Sequence, residues 1–350
     1  MKIISVLKPI VLTTLFLFPL FSNAQNLQKW IEQKAWGKHD TIIHLQSDDQ
    51  KTYIPLTVLK GKKSGPVFTI IAGIHGYEYP PIMAVQEIMG ELKPESVSGT
   101  ILIIPIASVE AFYKRSVFVH PFDGKNLNTV FPGTENGTMS ERIAHFISRE
   151  IIPASDVLLD IHGGDASEEL LPFVCYYDRV DAKEQTLLAK KLCEVSGFKY
   201  VVSYPYNLSA SEPAKYAFKQ AVQHGITALS IEAGELGNIQ VENVSNIKSA
   251  IYNMLSQLKV YTNYPDRITS AQHVSLNRQE YIRVPEKGIF YSDYRAGDTV
   301  KKGAVLGWIT DEFGKKLTEI LSPKEGIILY KVGTPPVNPG ETLFCIGFSE

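Results

Sequence analysis

The sequence predicts an α/β fold, in which a mostly parallel sheet carries helices on both faces and a small all-β domain follows at the C-terminus. Two patterns carry that expectation. Up to about residue 266, apolar strand-like runs alternate with helical periodicity, and apolar strands separated by helices belong in a parallel sheet covered on both sides. Beyond about residue 270, short strand-like runs recur between glycine and proline turns, as in a small sandwich or barrel.

The first 24 residues read as a segment removed before folding. Lys2 and Lys8 give a positive start, residues 10–21 an apolar stretch, and Ser22-Asn23-Ala24 a small-residue cleavage site before Gln25, the pattern of a secretory signal peptide. Pro19 interrupts the apolar run, which is shorter than the roughly 20 residues a membrane span needs. The expectation is an exported protein, periplasmic or extracellular, with no span once the signal is gone. Strands are then expected at 67–72, 100–105, 156–161, 172–177, 199–203 and 226–231, and helices at 80–92, 140–151, 183–196, 212–223 and 243–261. Ser140, ahead of Glu141-Arg142-Ile143-Ala144, is the expected N-cap of the second of those helices. Tyr264-Pro265-Asp266 marks the boundary, giving 1–24 as signal, 25–266 as the α/β domain and 267–350 as the β domain. Within the last, turns are expected at 295–298, 312–315, 322–326 and 338–341.

Composition narrows the partners. Of 350 residues, 35 are Lys or Arg and 37 are Asp or Glu, a formal charge of −2 that becomes −4 without the two signal lysines. Mild acidity without a basic run argues against nucleic acid or an anionic membrane surface as partner. Cys175, Cys193 and Cys345 form neither a disulfide framework nor zinc-finger spacing, and one bridge of unassigned pairing is all they could make.

Three strand-like runs end in metal-ligating or acid–base residues. Residues 67–72 lead into Gly73-Ile74-His75-Gly76-Tyr77-Glu78, 156–161 into His162-Gly163-Gly164, and 226–231 into Glu232-Ala233-Gly234. Sites in open α/β sheets form outside the carboxyl ends of strands. Two His and a Glu on one divalent metal, with a second Glu as base, is the chemistry such a convergence suggests, and it suits zinc.

These motifs resemble the succinylglutamate desuccinylase/aspartoacylase family, a branch of the zinc carboxypeptidase superfamily. The likeness continues through residues 115–128 (Arg115-Ser116 to Asn126-Leu127-Asn128), Val130-Phe131-Pro132-Gly133 and Ser140-Glu141-Arg142-Ile143-Ala144, and into the tail at 296–303 and 335–344. It implies a zinc carboxypeptidase-like fold with a C-terminal domain resembling a biotinyl/lipoyl-type barrel. It further implies one Zn2+ per chain held by His75, Glu78 and His162, Glu232 as general base and acid, and Arg115 polarising the scissile carbonyl. Zinc lowers the pKa of a coordinated water toward about 7, and a positioned base such as Glu232 is typically worth about 10²–10⁴-fold.

One position departs from the pattern. The family usually reads Asn-Leu-Asn-Arg, whereas this chain has Asn126-Leu127-Asn128-Thr129. A guanidinium clamps a carboxylate with two parallel hydrogen bonds, and threonine cannot. Asn128 is still expected to bind substrate, but at Thr129 the clamp is missing. Arg142 or a lysine elsewhere compensates, or the substrate has no carboxylate there, or catalysis is weakened. Asp165 and Glu168, just past His162, are candidate cleft residues favouring a cationic or amine-bearing substrate, against the alternative of a solvated acidic loop. Tyr176, Tyr177, Tyr204 and Tyr206 could supply a phenol or merely pack. The turn at 310–315 lacks the usual carrier-lysine motif, so the tail is read as a packing and access-restricting element.

The leading expectation is therefore an exported zinc-dependent amide hydrolase that deacylates N-acyl amino acids or related small amides. A carboxypeptidase-type enzyme acting on short peptides or cell-wall fragments is the first alternative, and a non-catalytic zinc-binding protein the second.

Overall fold

The structure, a computed structural model, describes residues 27–263 and 272–350. The expected signal segment and the Tyr264-Pro265-Asp266 boundary lie outside the described residues. In chain order the first part comprises α1 (Leu27–Gln33), β1 (Gly37–Ser47), β2 (Gln50–Lys60), β3 (Lys63–Ala72), α2 (Tyr79–Glu91), β4 (Ser98–Ile104), α3 (Val109–Lys114) and α4 (Met139–Phe146). Then come β5 (Val157–His162), β6 (Glu168–Leu170), β7 (Phe173–Asp178), α5 (Lys183–Val195), β8 (Tyr200–Pro205), α6 (Ala217–Gln223), β9 (Thr227–Glu232) and α7 (Val241–Gln257).

Nine strands form one sheet in the order β1-β2-β4-β3-β5-β9-β7-β8-β10, where β10 is Val274–Leu276. Its centre, β4-β3-β5-β9, is parallel and almost wholly apolar, as strands buried on both faces must be. Helices α4 and α6 pack on one face around Ile143, Leu158, Phe218 and Ala228. On the other, α2, α5 and α7 bury Val85, Leu192 and Ile251 against Ile70, Leu159 and Leu229. The mostly parallel sheet with helices on both faces is thus present.

Differences from the sequence reading have local causes. Residues 37–60 form an antiparallel hairpin, turning at Asp48 with φ of 51°. Thr138, not Ser140, precedes α4: its backbone N–H donates to Glu141 Oε2 at 2.8 Å, while the Ser140 hydroxyl donates to Asp123 Oδ1 at 2.8 Å. The helix expected from residue 212 begins at Ala217, because Glu212 instead accepts from Ser209 in a turn. All three cysteines are buried and free. Among the described residues no helix is long and apolar enough to cross a membrane.

The β region holds β11 (Arg278–Arg283), β12 (Gly288–Tyr291), β13 (Thr299–Val300), β14 (Val305–Thr310), β15 (Lys316–Leu321), β16 (Gly326–Val332), β17 (Pro336–Val337) and β18 (Thr342–Phe348). They make two antiparallel sheets, β11-β18-β16-β13 and β15-β14-β12-β17, around Phe290, Leu306, Ile328 and Phe344. The first sheet also recruits β6 from the first part, pairing Glu168, Glu169 and Leu170 with Val332, Lys331 and Tyr330. Since β10 belongs to the large sheet, the change of architecture falls at Asn277.

Candidate active site

The three motifs arrive at one place because their strands are neighbours. β3 and β9 flank β5, and all three run parallel, so their carboxyl ends share an edge. His162 and Glu232 are the last residues of β5 and β9 and lie directly opposite each other. Past the end of β3 the chain must turn tightly before α2. Gly73 takes a φ of +67°, and a Cβ on Gly76 would sit 2.1 Å from the Phe112 backbone nitrogen, so only glycine lets this turn pack beneath α3. The turn aims His75 and Glu78 inward.

His75 Nδ1 stands 2.6 Å from Glu78 Oε1, and His162 Nδ1 3.0 Å from Glu78 Oε2. One donor atom from each of the three residues lies within 4.8 Å of the others, so the trio could hold a divalent metal. Each remaining ring nitrogen also faces an oxygen. His75 Nε2 meets Asn126 Oδ1 at 3.0 Å, and His162 Nε2 meets Asp160 Oδ1 at 3.2 Å. Oxygen partners on the far nitrogen orient a ligating imidazole and raise its basicity, so this donor set fits zinc-type coordination. Burial opposes charge on Glu78, yet the two imidazoles hold its carboxyl at about 2. Burial likewise opposes protonation of His162, and the Asp160 and Glu78 carboxylates overcome it.

Glu232 differs from Glu78. Burial is the main influence and pushes its carboxyl to about 7; His162 pulls it down, while Glu78 and Asp160 push it up. A carboxylate whose affinity for protons lies near neutral pH is suited to taking one up and giving it back.

A cavity of about 740 Å³ opens from these residues. His75, Glu78, His162, Glu232, Asn128, Asp165 and Glu168 line it, whereas Arg115 and Thr129 do not. Arg115 is exposed at the end of α3, three residues before the cavity-lining Phe118. Thr129 is exposed, its hydroxyl donating to the Asn126 carbonyl at 2.8 Å. Arg142 donates to the Gly137 carbonyl at 2.9 Å and is also outside the cavity lining. Asn128 is buried with its side-chain oxygen unpartnered. Asp165 is buried and Glu168 half-buried, so this is not a solvated loop; burial, Asp165 and Glu78 together push the Glu168 carboxyl to about 8. Among the described residues, no Lys or Arg lines the cavity.

Two lining residues, Tyr281 and Tyr330, carry no signal in the motifs. With Glu341, from the 335–344 stretch, they come from the β region, which therefore walls the site rather than merely flanking it. Asp160 was visible as the residue two before His162, on the same face of a strand, but only its position against the Nε2 atom gives it a role.

Comparison with known proteins bears on this geometry. The model of the succinylglutamate desuccinylase/aspartoacylase catalytic domain matches residues 64–258. The chain is similar to the N-alpha-acetyl-L-2,4-diaminobutyric acid deacetylase of Halomonas elongata, 27% identical over 332 residues that cover 90% of this chain and 87% of that one. Among solved structures it resembles a succinylglutamate desuccinylase/aspartoacylase from Rhodobacter sphaeroides, with a TM-score of 0.81, 24% identity, and coverage of 91% and 97%. It also resembles the product-bound ectoine utilization protein EutE (DoeB) from Ruegeria pomeroyi, with a TM-score of 0.81, 23% identity, and coverage of 90% and 97%. At these identities the structural likeness speaks to fold.

Proposed function

The chain belongs to the succinylglutamate desuccinylase/aspartoacylase family, and we propose that it is a zinc-dependent amide hydrolase that removes the acyl group from N-acyl amino acids. The observation that carries this reading is the placement of Glu232 directly across the β5–β9 pair from His162, beside the His75–Glu78–His162 trio. His75 and His162 would hold the ion through Nδ1, and Glu78 through its carboxylate. When bound, zinc supplies Lewis-acid polarisation of the carbonyl and acidifies water. Glu232 takes a proton from the water that adds to the carbonyl carbon. It then delivers one to the departing nitrogen as the C–N bond breaks, leaving a carboxylate and an amine. Arg115 is assigned to the developing oxyanion on the family likeness; it stands exposed at the end of α3 and outside the cavity lining, so this role requires its side chain to move toward the site.

The lining also bears on which amino acid leaves. With no Lys or Arg among the described residues that line the cavity, a substrate rich in carboxylates, such as a succinyl-glutamate with three, finds no guanidinium clamp. Asp165 and Glu168 instead provide acceptors for an ammonium group, in keeping with the diaminobutyrate derivative named for the Halomonas relative. The unpartnered Asn128 oxygen is assigned to an N–H of the substrate. Thr129 takes no direct part, because its hydroxyl is committed to the backbone.

The test is turnover of N-acyl diamino acids by zinc-loaded protein, followed by mass spectrometry, with Glu232→Gln as control. Cleavage by wild type and loss of at least about 10³-fold in the variant, with zinc retained, is the expected result. An equally active variant would remove Glu232 as the base. Export is proposed from the first 24 residues, and the intact mass of protein recovered from producing cells should place the N-terminus at Gln25.

A further inference from the structure

The cavity has two chemically distinct halves. Around the candidate metal residues it is polar and acidic, with Glu232, Asp165 and Glu168 in its wall. Away from them it is a chamber of Phe173, Cys175, Tyr177, Tyr204, Phe218 and Tyr281. Phe173, Cys175 and Tyr177 alternate along β7 and so share one face of the sheet. Phe173 lies opposite Glu232 in the β7–β9 pair, so the apolar wall starts beside the candidate base. Tyr177 stacks on Phe218 with centroids 4.8 Å apart and meets Tyr204 at 5.8 Å. From the β region Tyr281, Leu329 and Cys345 close the far side. These walls are deep: Cys175 is 1% exposed, Phe173 and Cys345 each 5%, and Phe218 6%, although all border the cavity.

The size is out of proportion to a small acyl group. A cavity of about 740 Å³ is in the class that holds drug-sized ligands, roughly 300–1,000 Å³. A two-carbon acyl group would leave the aromatic half empty. We propose that the acyl arm of the substrate is bulky and apolar, an aromatic acyl group or a linear chain of roughly six or more carbons, seated in this chamber, where each buried methylene is worth roughly a factor of four in affinity. The amino-acid arm goes to the acidic end. It carries charge at neutral pH, and burying that charge among rings without a partner is costly, whereas Asp165 and Glu168 can accept an ammonium group. Hydrolysis then adds the water oxygen to the acyl carbon, breaks the C–N bond, returns a proton to the nitrogen and releases a long or aromatic carboxylate. The inference rests on the amide-hydrolase reading of the same site.

The experiment compares kcat/KM of the zinc-loaded protein on one diamino acid bearing acetyl, hexanoyl or phenylacetyl groups, and on acetylated phenylalanine. Hexanoyl or phenylacetyl substrates should exceed acetyl by at least about tenfold. Cys345→Met, which extends a side chain into the chamber, should cut that preference at least about tenfold. Should that variant not fold, product inhibition of the wild type serves instead, with hexanoate or phenylacetate binding at least about tenfold more tightly than acetate. Acetyl as the best arm, with no preference among product carboxylates, would overturn the proposal and leave the deacylase reading standing. A gain confined to acetylated phenylalanine would overturn the assignment of the chamber to the acyl arm. No cleavage of any amide would sink the deacylase reading and this inference with it.

Discussion

Asp160 and Asn126 each place an oxygen against the far nitrogen of an imidazole whose near nitrogen faces Glu78. Removing such support typically lowers metal affinity about 10–100-fold, so Asp160→Asn and Asn126→Ala should each weaken zinc binding by that factor, read by competition with a chelator. His162→Ala should abolish it. Unchanged affinity in all three would remove the trio as a metal site. Glu168 makes a separate prediction with a definite sign. Its folded carboxyl lies at about 8, against an ordinary 4.5, because burial, Asp165 and Glu78 all disfavour its charge. The folded state therefore binds more protons than the unfolded one across that window, and stability falls as pH rises through it. In metal-free protein, Glu168→Gln should lessen the loss of stability between roughly pH 5 and pH 8.5 by at least about 1 kcal/mol, measured by urea unfolding. An identical slope in both proteins would mean that Glu168 titrates normally. His75, Glu78, His162 and Glu232 were legible as strand-end residues, since glycines beside them announced turns. Arg115 was legible only through family likeness, and its exposed position shows that a motif can specify a residue without specifying its reach.

At the scale of elements, the parallel strands were legible because burial on both faces leaves an unbroken apolar run. The β1–β2 hairpin was not: Ile42 breaks the polar character of its outward positions, and Pro55 interrupts the second strand, where proline is normally confined to edges or irregular positions. β6 was hidden for a different reason. Its three residues are a strand only because β16 pairs with them, a long-range partner that no local pattern announces. The turn after β3 is the element on which the site most depends. A Cβ at Gly76 would lie 2.1 Å from the Phe112 nitrogen, so Gly76→Ala must push α3 and the His75–Glu78 turn apart. The expected cost is at least about 2 kcal/mol of stability together with lost zinc affinity, read by thermal unfolding and metal content. Wild-type stability in this variant would show that the turn can relax and does not hold the two residues in place.

At the scale of the whole molecule, the β region is built into the catalytic part rather than tethered to it. β6 is a strand of its sheet, Leu171 and Gly333 donate backbone hydrogen bonds across the junction at 2.9 and 2.8 Å, and Lys331 pairs with Glu169 at 3.1 Å. Gln279 adds a donor to the Ser203 carbonyl at 3.2 Å. Lys331 is nearly buried, and removing one partner of a buried ion pair leaves an uncompensated charge, so Lys331→Met should loosen the junction by roughly 3–5 kcal/mol. Because these contacts also place Glu168 and Tyr330 in the cavity wall, the same variant should raise KM more than it lowers kcat. The chain's three tryptophans report on the two parts separately: Trp30 and Trp36 lie before the large sheet's core strands, and Trp308 lies on β14. If the junction makes one cooperative unit, Trp308→Phe protein and Trp30→Phe/Trp36→Phe protein should unfold in urea with coincident midpoints. Lys331→Met on each background should then separate the two midpoints. Already separate transitions in the unmodified junction would mean that the β region folds by itself and only rests against the site, and the cavity wall it supplies would then be a movable one.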